Sequence, residues 1–319
     1  MPLTTTTTYT TRILAEVIAE LVLAAPTPKN VLSKLANQQS IQGEPALSLA
    51  MPRYADLGAA SLVAENADIA STALAMGVES TFTPAEYGMM GEVTYRAARR
   101  KVPGLSSVHQ LFDGSATLDQ QLAVFSGEAM RLKAAIDEAV ETQCSIALTS
   151  LTDVVGTTTV DLSIADMEAA IYAQAINEIL NEDLAFTLAP IQMFDLRSAI
   201  TTSAAPVFST DIQSVTTVRP DLSLDGLRGA FMGIPVYEIS QSVVQTANAN
   251  ADVVGALIIR GRGEATAATS GTLVICEGEE LYFSFEADNS ARAVEVQAVY
   301  EFDAGLRATD MGVQIVTDA

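Results

Sequence analysis

The sequence has very few of the side chains on which most metal and nucleophilic sites depend. Histidine occurs once, at His109, and cysteine twice, at Cys144 and Cys276, in 319 residues. These counts exclude a His-rich metal site and a four-cysteine zinc site made by this chain alone. They also exclude a disulfide framework, and such sparse use of cysteine is typical of a reducing compartment.

Positive charge and aromatic side chains are scarce as well. There are 17 Lys and Arg residues against 39 Asp and Glu, which gives a formal net charge of −22. Because a protein that grips nucleic-acid phosphates needs many basic side chains, this balance argues against tight nucleic-acid binding. Tryptophan is absent, but 49% of the residues are hydrophobic and 18% charged, as in a globular chain that buries its own core.

No apolar run is long enough to span a membrane. The nearest candidate, residues 13–25, is interrupted by Glu16 and Glu20 and follows a threonine tract rather than basic residues, so it does not read as a signal peptide. Its apolar residues recur at helical spacing, which predicts a short amphipathic helix ending at Pro26. We expect so short a helix to lie on the body of the protein or on another subunit.

The common catalytic motifs are missing. None of the four lysines is followed by Ser or Thr, so there is no P-loop. The stretch 261–263 lacks the third glycine of a dinucleotide fingerprint, and no Gly-x-Ser-x-Gly elbow accompanies His109. The sequence therefore predicts neither an enzyme nor a cofactor.

Two charged clusters remain. Carboxylates crowd together at Glu277, Glu279 and Glu280. They could attract a divalent cation, although a solvated turn is the simpler interpretation, and we predict no metal site. Basic side chains are densest at Arg96, Arg99, Arg100 and Lys101. This cluster is either a solvated helix face or the partner of an acidic neighbouring surface.

One helix dominates the secondary-structure pattern. Apolar residues recur every three or four positions from Thr117 to Leu151, which predicts a helix of about 50 Å that suits a flat plate better than a ball. Cys144 lies on its apolar stripe and is expected to be a buried hydrophobe. Helices and strands then alternate: helices over 163–180 and 191–200, and strands over 184–188, 230–237, 252–260, 294–303 and 312–316.

Residues 45–77 contain few large apolar side chains and no sustained helical stripe. This segment predicts an extended loop or loose hairpin, followed by strands over 78–83 and 89–95. Because it cannot bury enough surface to offset its own ordering, we expect it to pack on a partner.

In order and spacing, these parts resemble a tailed-bacteriophage major capsid protein with the Hong Kong 97-type fold. The resemblance runs over about residues 45–319. It is carried by MPRYADLGAA at 51–60, TFTP at 81–84, the helix from Thr117, VGTT at 155–158, DLS at 161–163, Pro190 with DLR at 195–197, GIPV at 233–236, GALI at 255–258, and VYE at 299–301 before GV at 312–313.

The resemblance implies an α+β capsid fold with a long spine helix and an extended loop. Its implied parts are an N-terminal arm (1–44), the extended loop (45–80), a peripheral domain with the spine helix (81–151), an axial domain (152–290) and C-terminal strands of the peripheral domain (291–319). Residues 45–80 contain no lysine, so the covalent cross-link that some relatives form through this loop is not expected.

The implied function is structural. The chain would assemble as pentamers and hexamers into the icosahedral head of a virion, in the host cytoplasm, and enclose double-stranded DNA without sequence-specific binding or membrane contact. A portal protein, and separate scaffolding and cement proteins, would be its partners. We expect the arm, loop and basic cluster to contact neighbouring copies through Ile18, Leu21, Leu57, Leu62, Arg99 and Arg100.

Two alternatives stay open. An encapsulin-like nanocompartment shell has a related fold, so the pattern does not exclude it. An acidic soluble hydrolase that uses scattered carboxylates belongs to another class and predicts a compact monomer or small oligomer.

Overall fold

The computed structural model describes residues 30–54, 76–96, 98, 118–176, 183–202, 208–209, 226–241, 244, 253–261, 271–288 and 290–318. Within these ranges the chain forms four helices and thirteen strands in three sheets. The helices are α1 (Leu32–Leu35), α2 (Leu118–Leu148), α3 (Ile164–Ile176) and α4 (Pro190–Thr202). No helix in the described part is long and apolar enough to cross a membrane.

A four-stranded sheet forms one layer. Its strands in spatial order are β1 (Asn37–Ser40), β11 (Leu273–Asp288), β12 (Ala293–Leu306) and β4 (Ala85–Thr94). β1 is parallel to β11, and the other pairs are antiparallel. The alternation predicted for 294–303 is confirmed in β12, because Val294, Val296 and Ala298 are fully buried on one face.

The predicted long helix is confirmed as α2, a 31-residue helix that crosses this sheet. Leu132 and Ile136 pack against the buried face of β12. Further along the same stripe, Cys144 and Leu148 pack against α1 and the second sheet. One helix therefore ties the layers together, and we call α2 the spine helix.

The seven-stranded sheet forms the second layer. In spatial order it contains β5 (Asp153–Val155), β13 (Gly312–Thr317), β10 (Val253–Ile259), β6 (Leu184–Leu188), β9 (Ile234–Glu238), β8 (Leu227–Phe231) and β7 (Phe208–Ser209). Every residue of β10 is buried, because Ala256 and Ile258 face the spine-helix core while Leu257 and Ile259 face the core under α3 and α4.

Two local predictions are wrong. Residues 230–237 do not form one strand but the β8–β9 hairpin, whose turn places Met232 at φ 50° and Gly233 at φ 84°. Because both strands of this hairpin are buried, the sequence is apolar on both sides of the turn and resembles a single buried strand. The glutamates at 277–280 do not form a turn but lie in β11, where irregular pairing around Glu279 accommodates the charged stretch.

The third sheet joins the segment predicted as an extended loop or loose hairpin (45–77) to the strand predicted after it (78–83). β2 (Leu49–Tyr54) pairs antiparallel with β3 (Met76–Phe82), and residues 55–75 between them lie outside the described part of the chain.

Candidate assembly surfaces

The start of the described chain is embedded in the body. Val31, Leu32, Leu35 and Ala36 are each at most 5% exposed and pack in the core with the spine helix. The C-terminal part of the segment that the sequence assigned to an arm therefore contributes side chains to the protein's own core.

A buried carboxylate on the spine helix holds this segment. Glu141, 0% exposed, accepts hydrogen bonds from the backbone N–H groups of Leu32 and Ser33, both at 2.9 Å, and from Ser33 Oγ at 2.6 Å. These N–H groups open α1 and have no partner inside so short a helix. Burial raises the pKa of Glu141, and the hydrogen bonds from residues 31–33 oppose that rise. Glu141 thus fixes the start of α1 on the spine helix.

Backbone packing holds the same segment from the other side. The N–H of Gly261 donates to the carbonyl of Leu35 at 2.6 Å. A side chain at Gly261 would place its Cβ 2.3 Å from the backbone nitrogen of Asn37, so only glycine allows this approach.

The β2–β3 hairpin is fixed at its base. Met51 and Phe82 are buried against Val274 and Cys276 of β11. Ser80 Oγ donates to the Arg307 carbonyl at 2.9 Å, where β12 ends.

An ion pair between Arg53 and Asp310 orients the base of the hairpin on the body. Arg53 Nη1 and Nη2 donate to the two carboxylate oxygens of Asp310 at 2.9 and 2.7 Å. The guanidinium lowers the pKa of Asp310, and the paired geometry orients β2 on the body.

Large apolar side chains on this hairpin and before it face solvent. Leu47 is 89% exposed and Val78 63% exposed. An anchored hairpin with apolar residues on its free surface is the geometry expected of an element that a partner covers.

A second apolar surface lies on the helices outside the seven-stranded sheet. α3 buries Met167 and Ala170, but Tyr172 and Ile176 are 68% and 61% exposed. Phe194 on neighbouring α4 is 69% exposed. Because a helix with apolar side chains on several faces is usually covered on all of them, this surface is a candidate contact.

The chemistry available to the described residues is limited. They contain no group of three or more His, Cys, Asp or Glu side chains placed to hold a metal ion. Burial raises the pKa of the Cys144 thiol, and burial together with nearby carboxylates raises that of Cys276 to about 11. Both thiols are therefore poor nucleophiles, as expected for Cys144. Glu277 accepts a 2.5 Å hydrogen bond from the Tyr300 hydroxyl.

The sequence-predicted contact residues Ile18, Leu21, Leu57, Leu62, Arg99 and Arg100 lie outside the described part of the chain, as does His109. The structure shows anchoring residues that the sequence analysis missed. Glu141 could have been identified, because it follows Val140 beside the apolar stripe of the spine helix, where a carboxylate requires hydrogen-bond donors. The pairing of Arg53 with Asp310 could not, because the two residues are 257 positions apart in the sequence.

Neither a protein-family model nor a curated protein matches the chain. Solved structures match it over nearly its whole length. A chain described as Mycobacterium phage Che8 aligns with a TM-score of 0.61 and 11% identity, covering 94% of this chain and 96% of its own length. The capsid structure of cyanophage P-SCSP1u aligns with a TM-score of 0.59 and 11% identity, covering 96% of this chain and 94% of its own.

The chain has the tailed-phage capsid fold. The α+β architecture expected from the resemblance is thereby confirmed. The capsid fold also occurs in the holo-SrpI encapsulin complex from Synechococcus elongatus, which aligns with a TM-score of 0.56 and 11% identity over 94% of each chain. Since one fold serves both kinds of shell, the function has to be argued from the surfaces.

Proposed function

We propose that this protein is the major capsid protein of a tailed phage, a structural subunit that assembles as pentamers and hexamers into the icosahedral head around double-stranded DNA. The observation that carries the proposal is the alignment of 96% and 95% of the chain with the capsid structures of cyanophage P-SCSP1u and Helicobacter pylori bacteriophage KHP30. The exposed apolar residues of the hairpin and of α3 support it, because each needs a neighbour.

The parts receive the following proposed roles. Residues 1–44 act as an arm whose root is held by Glu141, and residues 45–80 as an extended loop over a neighbouring copy. Residues 81–151 and 291–319 form the peripheral domain, and residues 152–290 the axial domain that meets its copies around the symmetry axes. Repeated modest contacts of this kind add up to a durable closed shell.

The remaining roles follow from the same assignment. The shell is non-catalytic and is assembled in the host cytoplasm. A portal protein fills one vertex, and separate scaffolding and cement proteins are its other partners. Contact with DNA is loose and independent of sequence, because a net charge of −22 repels phosphates.

The second candidate is an encapsulin-like shell, which the similar TM-score of the encapsulin favours. The two shells differ in their contents, which are DNA in a phage head and a protein cargo in an encapsulin. Particles isolated from the source cells and treated with nuclease distinguish them, because protected DNA supports the phage head.

Assembly is the first test. The full chain, purified and examined by light scattering and electron microscopy, is expected to form closed particles on the order of tens of nanometres across. A 33.5 kDa monomer under all conditions would contradict both shells and return the acidic hydrolase to consideration.

A further inference from the structure

The face of the four-stranded sheet opposite the spine helix carries glutamates in rows. Glu295 on β12 lies directly opposite Glu92 on β4 and Glu286 on β11. Six positions further along β12, Glu301 lies opposite Glu86 and Glu279. The odd-numbered residues of β12 point away from the spine helix, because the alternate ones are buried against it.

Such a register is unfavourable in an isolated subunit. Neighbouring strands are about 4.8 Å apart, and like charges directly opposite each other destabilise a sheet. Asp288, Glu92 and Glu286 add to desolvation in raising the pKa of Glu295. The ion pairs within the described residues involve other side chains, so these six carboxylates have no cation beside them there.

The two rows bracket a neutral centre. Between them lie Ser284, Gln297 and Met90 in one row, and Tyr282, Val299 and Gly88 in the next. At about 3.4 Å per residue, the glutamate rows are roughly 20 Å apart. Tyr282 is 43% exposed and Gln297 and Val299 are half-buried, so the centre is a partly exposed, partly apolar sheet surface. We call the whole surface the acidic face.

We propose that the acidic face docks the basic segment 96–101 of a neighbouring copy of this chain. This inference rests on the proposed shell function and names one of its contacts. Six positions of that segment hold four of the chain's 17 basic residues, namely Arg96, Arg99, Arg100 and Lys101. Four positive charges meet six negative ones, and complementary charge of this kind selects partners and fixes register.

The position of the segment favours a second copy. It follows β4, which is an edge strand of the sheet, and Tyr95 is held there by a 2.8 Å hydrogen bond from its N–H to the Arg292 carbonyl. Arg96 is exposed at this margin. Ala98, within the segment, is fully buried in the core between the spine helix and β12, on the side of the sheet away from the acidic face. The acidic face of a second copy would therefore meet the segment more readily than that of the same subunit.

Two charge-reversal variants test the contact in trans. Variant one carries E92K and E295K, and variant two carries R99E and R100E. Each variant alone places like charges where positions 92 and 295 meet positions 99 and 100, and it is expected to yield about tenfold less sedimenting assembly than wild type, or lower still. When the two variants are mixed, the charges at these four positions are opposite in both cross-contacts, so assemblies containing both variants are expected. One variant carries an affinity tag, and the amount of the untagged variant that co-purifies with it measures the mixed assemblies.

The control is Arg131→Glu, a charge reversal of an exposed arginine on the spine helix, which is expected to assemble as wild type does. Circular dichroism and gel filtration confirm that every variant subunit is folded. Normal assembly of both reversal variants alone would overturn the inference, while absence of particles from wild type would overturn the proposed function and the inference with it.

Two further outcomes identify other occupants. In the first, the mixture of the two variants fails to assemble while a single chain that carries all four changes does assemble. That result would place the charge pairing within one chain and overturn the inference. Disassembly of wild-type particles by EDTA and recovery with Mg²⁺, with variant two assembling normally, would identify a divalent cation as the occupant and overturn it too.

Discussion

Arg53 and Asp310 form a two-bonded ion pair that joins the β2–β3 hairpin to the loop between β12 and β13. Both side chains are partly exposed, at 50% and 39%, so the pair contributes little to global stability. Its consequence is geometric. The planar guanidinium and the carboxylate fix the orientation of β2 on the body, at the strand end from which residues 55–75 continue.

Replacing Arg53 by Ala tests this role. We expect the free energy of unfolding to fall by less than about 1 kcal/mol, because exposed ion pairs contribute little. Amide hydrogen exchange in β2 and β3 is expected to accelerate, and assembly to decline. Arg53→Lys is the matched control, since it keeps the charge but loses the two-bonded geometry. Unchanged exchange in Arg53→Ala would show that the buried side chains of Met51 and Phe82 and the Ser80 hydrogen bond hold the hairpin without the ion pair.

The same pair has a defined pH dependence. Arg53 lowers the pKa of Asp310 in the folded state. The stabilisation is therefore complete above the ordinary aspartate pKa of about 3.9 and is lost as the pH falls through the lower folded value.

The elements that the sequence predicts well are those in which one strong periodicity acts alone. The stripe through Leu132, Ile136 and Cys144 predicts the spine helix, and the alternation from Val294 to Phe302 predicts β12. Both signals arise because one face is buried along the whole element.

The missed features depend on contacts distant in sequence. β11 is a 16-residue strand despite its glutamates, because pairing with β12 along its length outweighs their local preference for a turn. The cap that Glu141 provides for α1 joins residues more than 100 positions apart. No local pattern specifies such partners, so the anchors of the arm and of the hairpin emerge only from the structure.

Removing the Glu141 carboxylate is expected to loosen the root of the arm. Glu141→Ala leaves the N–H groups of Leu32 and Ser33 and the Ser33 hydroxyl without their buried acceptor, which predicts a loss of about 2–4 kcal/mol in chemical unfolding. Ser33→Ala removes one of the three bonds and is expected to cost about 1 kcal/mol. Equal stability of Glu141→Ala and wild type would contradict the assigned cap.

Glutamine at position 141 isolates the charge. Because the folded pKa of Glu141 is raised, the folded protein binds the proton more tightly than the unfolded chain. This contribution to stability is fully present below the unfolded value of about 4.3 and is lost as the pH rises through the folded pKa. Wild type is therefore expected to gain stability relative to Glu141→Gln as the pH falls across this window, and denaturant titrations at several pH values measure the difference.

Gln192 is a buried polar link among three elements of the seven-stranded layer. Its Nε2 donates to the Ile315 carbonyl at 3.2 Å and to Thr317 Oγ1 at 3.1 Å, and its Oε1 accepts from the Ala189 N–H at 3.1 Å. Gln192→Leu keeps the approximate volume but leaves these groups unpaired in the core. We expect a loss of about 2–4 kcal/mol.

The matched control for Gln192 is an exposed glutamine. Gln42→Leu is expected to change the free energy of unfolding by no more than about 0.5 kcal/mol. Thermal or urea unfolding of the two variants gives the comparison. A Gln192→Leu protein as stable as its control would show that these hydrogen bonds make no net contribution.

The extended loop supplies the last prediction. Leu57 and Leu62 are two of its few large apolar residues, and they follow the strand that Arg53 anchors to the body. If these side chains lie on a free subunit surface, replacing either by Asp changes the free energy of unfolding little. Under a neighbouring copy, the same change buries an unpaired charge. Leu57→Asp and Leu62→Asp are therefore expected to fold normally by circular dichroism yet yield no particles by electron microscopy. Leu57→Met and Leu62→Met, which keep an apolar side chain of similar volume, are expected to assemble. Normal particles from either Asp variant would mean that the loop does not lie beneath a neighbour.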